Sequence, residues 1–181
     1  MPYLKSLPAD ARLLQVFQAF PETARPLIDF HELLMRGESP LTVAERELIA
    51  AYVSGRNGCG YCHGVHTATA EAFGVPPGLL AALLADLDSA PVDDGMRVLL
   101  AYVGKLTTDP ARITAADADA VFAAGWDEHA LHDAVLVCAL FNFMNRMVNG
   151  LGITADDTYY ALSGTRLHDV GYAGLNDLID G

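Results

Sequence analysis

The segment Gly58-Cys59-Gly60-Tyr61-Cys62-His63-Gly64-Val65-His66 brings two thiols and two imidazoles into one short stretch. On a helix, with Cys59 at zero and ~100° per residue, Cys62 falls near ~300°, His63 near ~40° and His66 near ~340°, an arc of about 100°. Thiols three residues apart on a first helical turn can approach disulfide distance, and the partial positive charge of a helix N-terminus favours a thiolate. An unassisted thiol of pKa ~8.5 is only ~3% ionised at neutral pH, so a nucleophile needs such help. His66, one turn beyond Cys62, can take its proton, and His63 stands in the same relation to Cys59. The expected chemistry is thiol redox.

The same residue types suit other sites. Zinc favours Cys and His, yet four side chains on one arc cannot surround a tetrahedral ion without a ligand from elsewhere. Cys-x-x-Cys-His is also the attachment pattern of c-type haem, with His63 as axial ligand, although that chemistry ordinarily needs export. Cys-Gly-Tyr-Cys is similar to a thioredoxin-type motif, which sits between a strand and a helix, and no convincing strand precedes it here. A purely structural cluster would require two Cys and two His to share a face by coincidence. Cys138, inside Val135-Leu136-Val137-Cys138-Ala139-Leu140, reads as a small buried hydrophobe.

The elements that must position the pair are legible in their punctuation. Thr42-Val43-Ala44-Glu45 is a capping box, which starts a helix that Asn57-Gly58 ends near Arg56. A second helix opens around Cys59 and closes at Gly74, giving an expected helical hairpin over 41–74. On its first arm, Glu47 has Val43, Ala44, Ala50 and Ala51 as i±3 and i±4 neighbours. A carboxylate among such small apolar residues is part-buried and can orient a His or relay a proton.

Around the hairpin, one helix is expected from Asp10 to a stop at Pro21 and another from Thr23 to Gly37. Pro76-Pro77 opens a helix through Leu87, Asp93-Asp94 one to Thr108, Thr114-x-x-Asp117 one to Gly125, and Asp127 one to Asn149-Gly150. Thr154-x-x-Asp157 signals a further turn, and the tail from Gly164 reads as irregular. Asn142, Asn145, Arg146 and Asn149 form a polar stripe that suits a site, a subunit interface or a solvated face. His31-Glu32 begins like a zinc-protease motif but lacks the second His, so it reads as a surface helix. His129 and His132 read as solvated, and Gly150-Leu151-Gly152 is too short for a dinucleotide fingerprint.

Composition bounds the rest. The 181 residues suit one domain, and the dominance of Ala and Leu over Val and Ile points to an all-α fold. With 23 acidic residues against 11 basic ones, the net charge of −12 argues against nucleic acid as a partner. A mean hydropathy of +0.25 suggests apolar surface for subunit contacts. No apolar run approaches the ~20 residues of a membrane span, and the N-terminus lacks a secretory pattern, so a cytoplasmic location is expected.

Glu47, then Cys59, Cys62 and His66, resemble the Glu…Cys-x-x-Cys-x-x-x-His pattern of the alkylhydroperoxidase D and carboxymuconolactone decarboxylase family. The likeness is to its longer branch of peroxidase-related proteins, and Phe141-Asn142-Phe143-Met144-Asn145-Arg146 extends it beyond the hairpin. The resemblance implies an alkylhydroperoxidase D-like helical bundle and a homo-oligomer, whether dimer, trimer or hexamer. It also implies a cofactor-free peroxidase acting on hydrogen peroxide or small organic hydroperoxides. Cys62 would be the attacking thiolate, Cys59 the resolving thiol, His66 the base and Glu47 part of the proton relay, with His63 auxiliary. An external dithiol of lipoyl or thioredoxin type would reset the pair. Well-studied alkylhydroperoxidases carry a His between the cysteines, where this chain has Tyr61. The decarboxylase branch lacks the paired cysteines, which disfavours that activity here.

Overall fold

A computed structural model describes residues 1–179, and those residues contain helices and no strands. The helices are α1 (Leu13–Ala19), α2 (Pro21–Arg36), α3 (Val43–Arg56), α4 (Gly60–Ala72), α5 (Leu79–Ala85), α6 (Asp94–Thr108), α7 (Ala115–Ala123), α8 (Glu128–Gly150), α9 (Asp157–Val170) and α10 (Gly174–Ile179), with one 3-10 turn at Pro110–Arg112. The expected all-α class is observed. Among the described residues no helix is long and apolar enough to cross a membrane.

α3 is the central element. The capping box forms as the sequence implies: the Glu45 amide donates to Thr42 Oγ1 at 3.2 Å, and the Thr42 amide donates to Glu45 Oε2 at 2.7 Å. Every residue from Arg46 to Ser54 is buried, two charged side chains included. Arg46 is tolerated because its Nη1 donates to the carbonyls of Leu34 and Gly37 at 2.7 and 2.9 Å, where the C-terminus of α2 concentrates partial negative charge.

α4 runs back along α3. The Cys59 amide donates to the Ser54 carbonyl, His63 meets Ala51 and His66 meets Glu47, so one set of numbers rises as the other falls. α9 instead runs parallel to α4: Tyr160 lies on Gly64, Gly164 on Ala68, and His168 on Phe73. Two glycines make this approach close. A Cβ at Gly164 would stand 2.8 and 2.9 Å from backbone atoms of Ala68 and Thr69, and one at Gly64 would stand 2.4 Å from the Tyr160 ring.

Three expectations are corrected. The first helix ends at Ala19, before Pro21 as expected, but the second begins at Pro21 and not at Thr23, because at a first helical position the missing N–H of Pro costs nothing and its fixed φ is already helical. Pro76 and Pro77 precede α5 instead of opening it, because Gly78 takes a left-handed turn (φ +84°) as its N-cap. The tail beyond Gly164 is not irregular. Asp156, whose side chain accepts from the Tyr159 amide at 2.9 Å, caps an α9 that reaches Val170, and α10 follows. The glycines there mark close packing, and a sequence shows only their flexibility. Apolar side chains from α1 through α10 join one contiguous core.

Candidate active site

Cys59 is the N-cap of α4 and Cys62 lies within its first turn. Both are free thiols, with Cys59 fully enclosed and Cys62 3% exposed. The two sulfurs hydrogen-bond to each other, and the charge state is divided between them. Acceptance of the Cys62 proton holds the Cys59 thiol down at about 7 despite its burial. The amides of Cys62 and Tyr61 and the Asn145 side chain act in the same direction. Neither amide makes a full capping bond to sulfur, so they act through the positive end of the helix. Cys62, as donor to Cys59 and itself desolvated, is pushed well up. The pair releases one proton near neutrality and shares the one that remains.

Cys62, not Cys59, faces a partly open apolar cavity of about 60 Å³. His66 lines it too, with walls from Leu14, Phe17, Val65 and Phe141. At ~10–15 Å³ of such space per water, the cavity holds about four to six waters or one small organic molecule of similar volume. Two of its lining residues, Tyr61 and Tyr159, are joined by a 2.8 Å hydrogen bond between their hydroxyls.

Behind the cavity stands a buried charge cluster. His66 Nδ1 donates to Glu47 Oε2 at 2.7 Å, and Arg36 Nη1 and the Tyr172 hydroxyl donate to Glu47 Oε1 at 2.7 and 3.0 Å. Burial raises the Glu47 pKa, but His66 and Arg36 outweigh it and hold the carboxyl below its ordinary value. An ionised Glu47 fixes the proton of His66 on Nδ1 and leaves Nε2 as the basic nitrogen. The ring is clamped edge-on against Phe141, with centroids 4.4 Å apart.

His63 turns the other way. Its Nδ1 donates to the Ala51 carbonyl at 3.0 Å, beside Gly55 and Leu84, and it does not line the cavity. The helical arc therefore divides: Cys62 and His66 share the cavity while Cys59 and His63 point into the α3 side. Glu47 is fully buried, deeper than the part-burial expected for it.

Four further residues belong here. Arg36 and Tyr172 complete the partners of Glu47, yet they lie 11 and 125 residues from it, on α2 and the α9–α10 turn. Tyr172 is held by Glu32, which accepts from the amides of Tyr172 and Ala173 at 2.7 and 2.9 Å. His31 is not on a surface helix: it is buried in the cavity wall, where desolvation lowers its pKa to about 4. Only the lone acid beside it in sequence drew attention to that position. Asn145, from the polar stripe, is buried; its Nδ2 donates to Ser54 Oγ at 2.9 Å and its Oδ1 accepts from Asn57 at 2.8 Å. The stripe splits, because Arg146 and Asn149 remain exposed and Asn142 bonds toward Thr107 and Cys138. Among the described residues no three His, Cys, Asp or Glu side chains converge as metal ligands.

An all-helical bundle with a buried Cys-x-x-Cys pair beside a hydrogen-bonded Glu–His pair defines an alkylhydroperoxidase D-like protein. Residues 21–104, which contain Arg36, Glu47, both cysteines and His66, match the carboxymuconolactone decarboxylase family model. The chain belongs to the carboxymuconolactone decarboxylase family. A peroxidase-related protein from Silicibacter sp. TM1040 is 30% identical with a TM-score of 0.76, the match covering 82% of this chain and 78% of that one. A protein described as an alkylhydroperoxidase AhpD core, from Ralstonia eutropha JMP134, is 26% identical with the same TM-score and coverage. A protein of unknown function from Agrobacterium tumefaciens shares the fold at 18% identity, with a TM-score of 0.66 over 78% of this chain and 97% of that one. No curated protein matches the chain by sequence.

Proposed function

We propose that the protein is a thiol-dependent peroxidase that reduces hydrogen peroxide or small organic hydroperoxides with the Cys59–Cys62 pair. The observation that carries this is the shared cavity of Cys62 and His66, with His66 anchored at 2.7 Å on a buried carboxylate.

Cys62 attacks because it alone of the pair borders the cavity. Its proton passes to the Cys59 sulfur or to His66 Nε2, and the resulting thiolate displaces RO⁻ from the O–O bond. Sulfur becomes a sulfenic acid, oxidised by two electrons, and RO⁻ leaves as ROH with the transferred proton. The Cys59 thiolate then attacks the Cys62 sulfenic sulfur; an S–S bond forms, and hydroxide leaves as water after protonation through His66.

An external dithiol resets the enzyme by attack on the Cys62 sulfur at the cavity. Cys59, with its pKa near 7, is the better leaving thiolate. The second external thiol closes the reductant's own disulfide and releases Cys62, so that both cysteines regain their protons. The reading extends to antioxidant defence and to a homo-oligomer, supported by the family fold. Stopped-flow loss of peroxide with pre-reduced protein tests it. Turnover lost in Cys62→Ser supports the assignment, and undiminished turnover in that variant refutes it. Disulfide formation without turnover under any supplied dithiol would instead favour a redox sensor.

A further inference from the structure

The cavity above Cys62 has a cation that no described residue matches. Arg166, on α9, lines it, and its Nε is buried with no hydrogen-bond partner among the described residues. Among the described residues, carboxylates pair with Arg12, Arg36, Arg97 and Arg112, and Arg46 and Arg146 bind carbonyl oxygens or Asn142; no described residue does either for Arg166. A guanidinium partly stripped of water and left without a counter-charge is relieved by a bound anion, and its planar fork fits a carboxylate. Among the described residues the nearby wall does not supply that charge. Leu167 and Leu175 are apolar, and Glu47 already spends its oxygens on Arg36, Tyr172 and His66.

The parallel packing supplies a ruler. Gly164 lies on Ala68, which puts Arg166 level with Ala70, ~12 Å along the axis beyond Cys62 at 1.5 Å per residue. A helical side chain leans toward its own N-terminus, here toward Cys62, which closes the gap to about one to two turns. A short carbon chain spans that distance.

We propose that the cavity selects short-chain organic hydroperoxides bearing a carboxylate, with Arg166 binding the carboxylate and the O–O bond lying against Cys62. The assignment rests on the peroxidase function above and leaves its chemistry unchanged: the Cys62 thiolate takes the terminal oxygen and the hydroxy acid departs.

Two measurements separate the anion site from the peroxidase activity. In the first, Cys62 of the reduced full-length protein is alkylated by iodoacetate or iodoacetamide, and the modified cysteine is identified by peptide mass spectrometry. The iodoacetate-to-iodoacetamide rate ratio should fall about tenfold in Arg166→Met, equivalent to ~1.4 kcal/mol, with Arg166→Lys between the two. Arg166→Gln replaces the Met variant if that one does not fold. A ratio unmoved by the loss of the guanidinium overturns the proposal. In the second, kcat/KM is compared for 3-hydroperoxy-3-methylbutanoate and its methyl ester. A preference for the acid that Arg166→Met abolishes supports the assignment, and equal use of acid and ester by the parent overturns it. Consumption of neither, with the alkylation ratio still dependent on Arg166, overturns the peroxidase function and the substrate class together and leaves carboxylate binding alone.

Discussion

Glu47 and His66 face each other across the α3–α4 contact, carboxylate oxygen to imidazole nitrogen at 2.7 Å, with the carboxylate wholly buried. The carboxylate survives there because Arg36 and Tyr172 also donate to it. Removal of its charge should therefore be felt twice. Glu47→Gln leaves Arg36 buried without a counter-charge, and a loss of roughly 3–5 kcal/mol is expected in denaturant unfolding. Peroxide consumption should fall at least about tenfold in protein that remains folded, because His66 loses the partner that fixes its tautomer. A variant as stable and as active as the parent would show that the pair is incidental.

The two thiols should behave differently. Cys62→Ser is expected to abolish reaction with peroxide. Cys59→Ser should still react once and then stop at a sulfenic acid, trapped by dimedone on Cys62 and detected by mass spectrometry. A dimedone adduct on Cys59 in the parent would reverse the roles.

Thiolate absorbance in the ultraviolet should titrate with a first midpoint at about 7, one proton per chain, and a second well above the ordinary thiol range. The Cys59 value is lowered by folding, so the associated stability is complete above the unfolded thiol value and is lost as pH falls through about 7. Asn145 lowers both sulfurs, so Asn145→Ala should move the first midpoint upward. A midpoint unchanged in that variant would remove Asn145 from the site.

His31 supplies an acid sensitivity. Its folded pKa of about 4 lies below the ordinary 6.5, so the unfolded chain binds its proton first as pH falls. Stability should drop from pH 6.5 toward 4, by roughly 3 kcal/mol at ~1.36 kcal/mol per unit, and be constant in this respect above 6.5. Thermal midpoints of His31→Gln across that window should show a shallower decline than the parent.

Gly164→Ala probes the α4–α9 contact. Its Cβ would meet backbone atoms of Ala68 and Thr69, which cannot move aside as a flexible side chain can. A loss of about 1–3 kcal/mol is expected, together with altered alkylation rates at Cys62, because the same two helices enclose the cavity. Full stability in this variant would mean that the helices separate at little cost.

Local features decided most of what could be read from the sequence. The Thr42–Glu45 box and the Asp93 and Asp127 caps lie within one turn of the helices they start, and the Cys59–Cys62–His66 spacing is a property of a single helix. Glu47 was reachable because its small neighbours on α3 imply a close partner. Pairings between distant segments decided the remainder. Sequence periodicity gives each helix a buried face but no partner for it, so nothing local shows that Arg36 and Tyr172 converge on Glu47. Nor does it show that Asn145 turns inward while Arg146 turns out, or that His31 and Arg166 line the cavity that Cys62 faces. The difference between the cysteines is tertiary for the same reason. Their spacing sets them side by side, whereas burial against α3 and the cavity between α4 and α9 determine which sulfur lines that cavity.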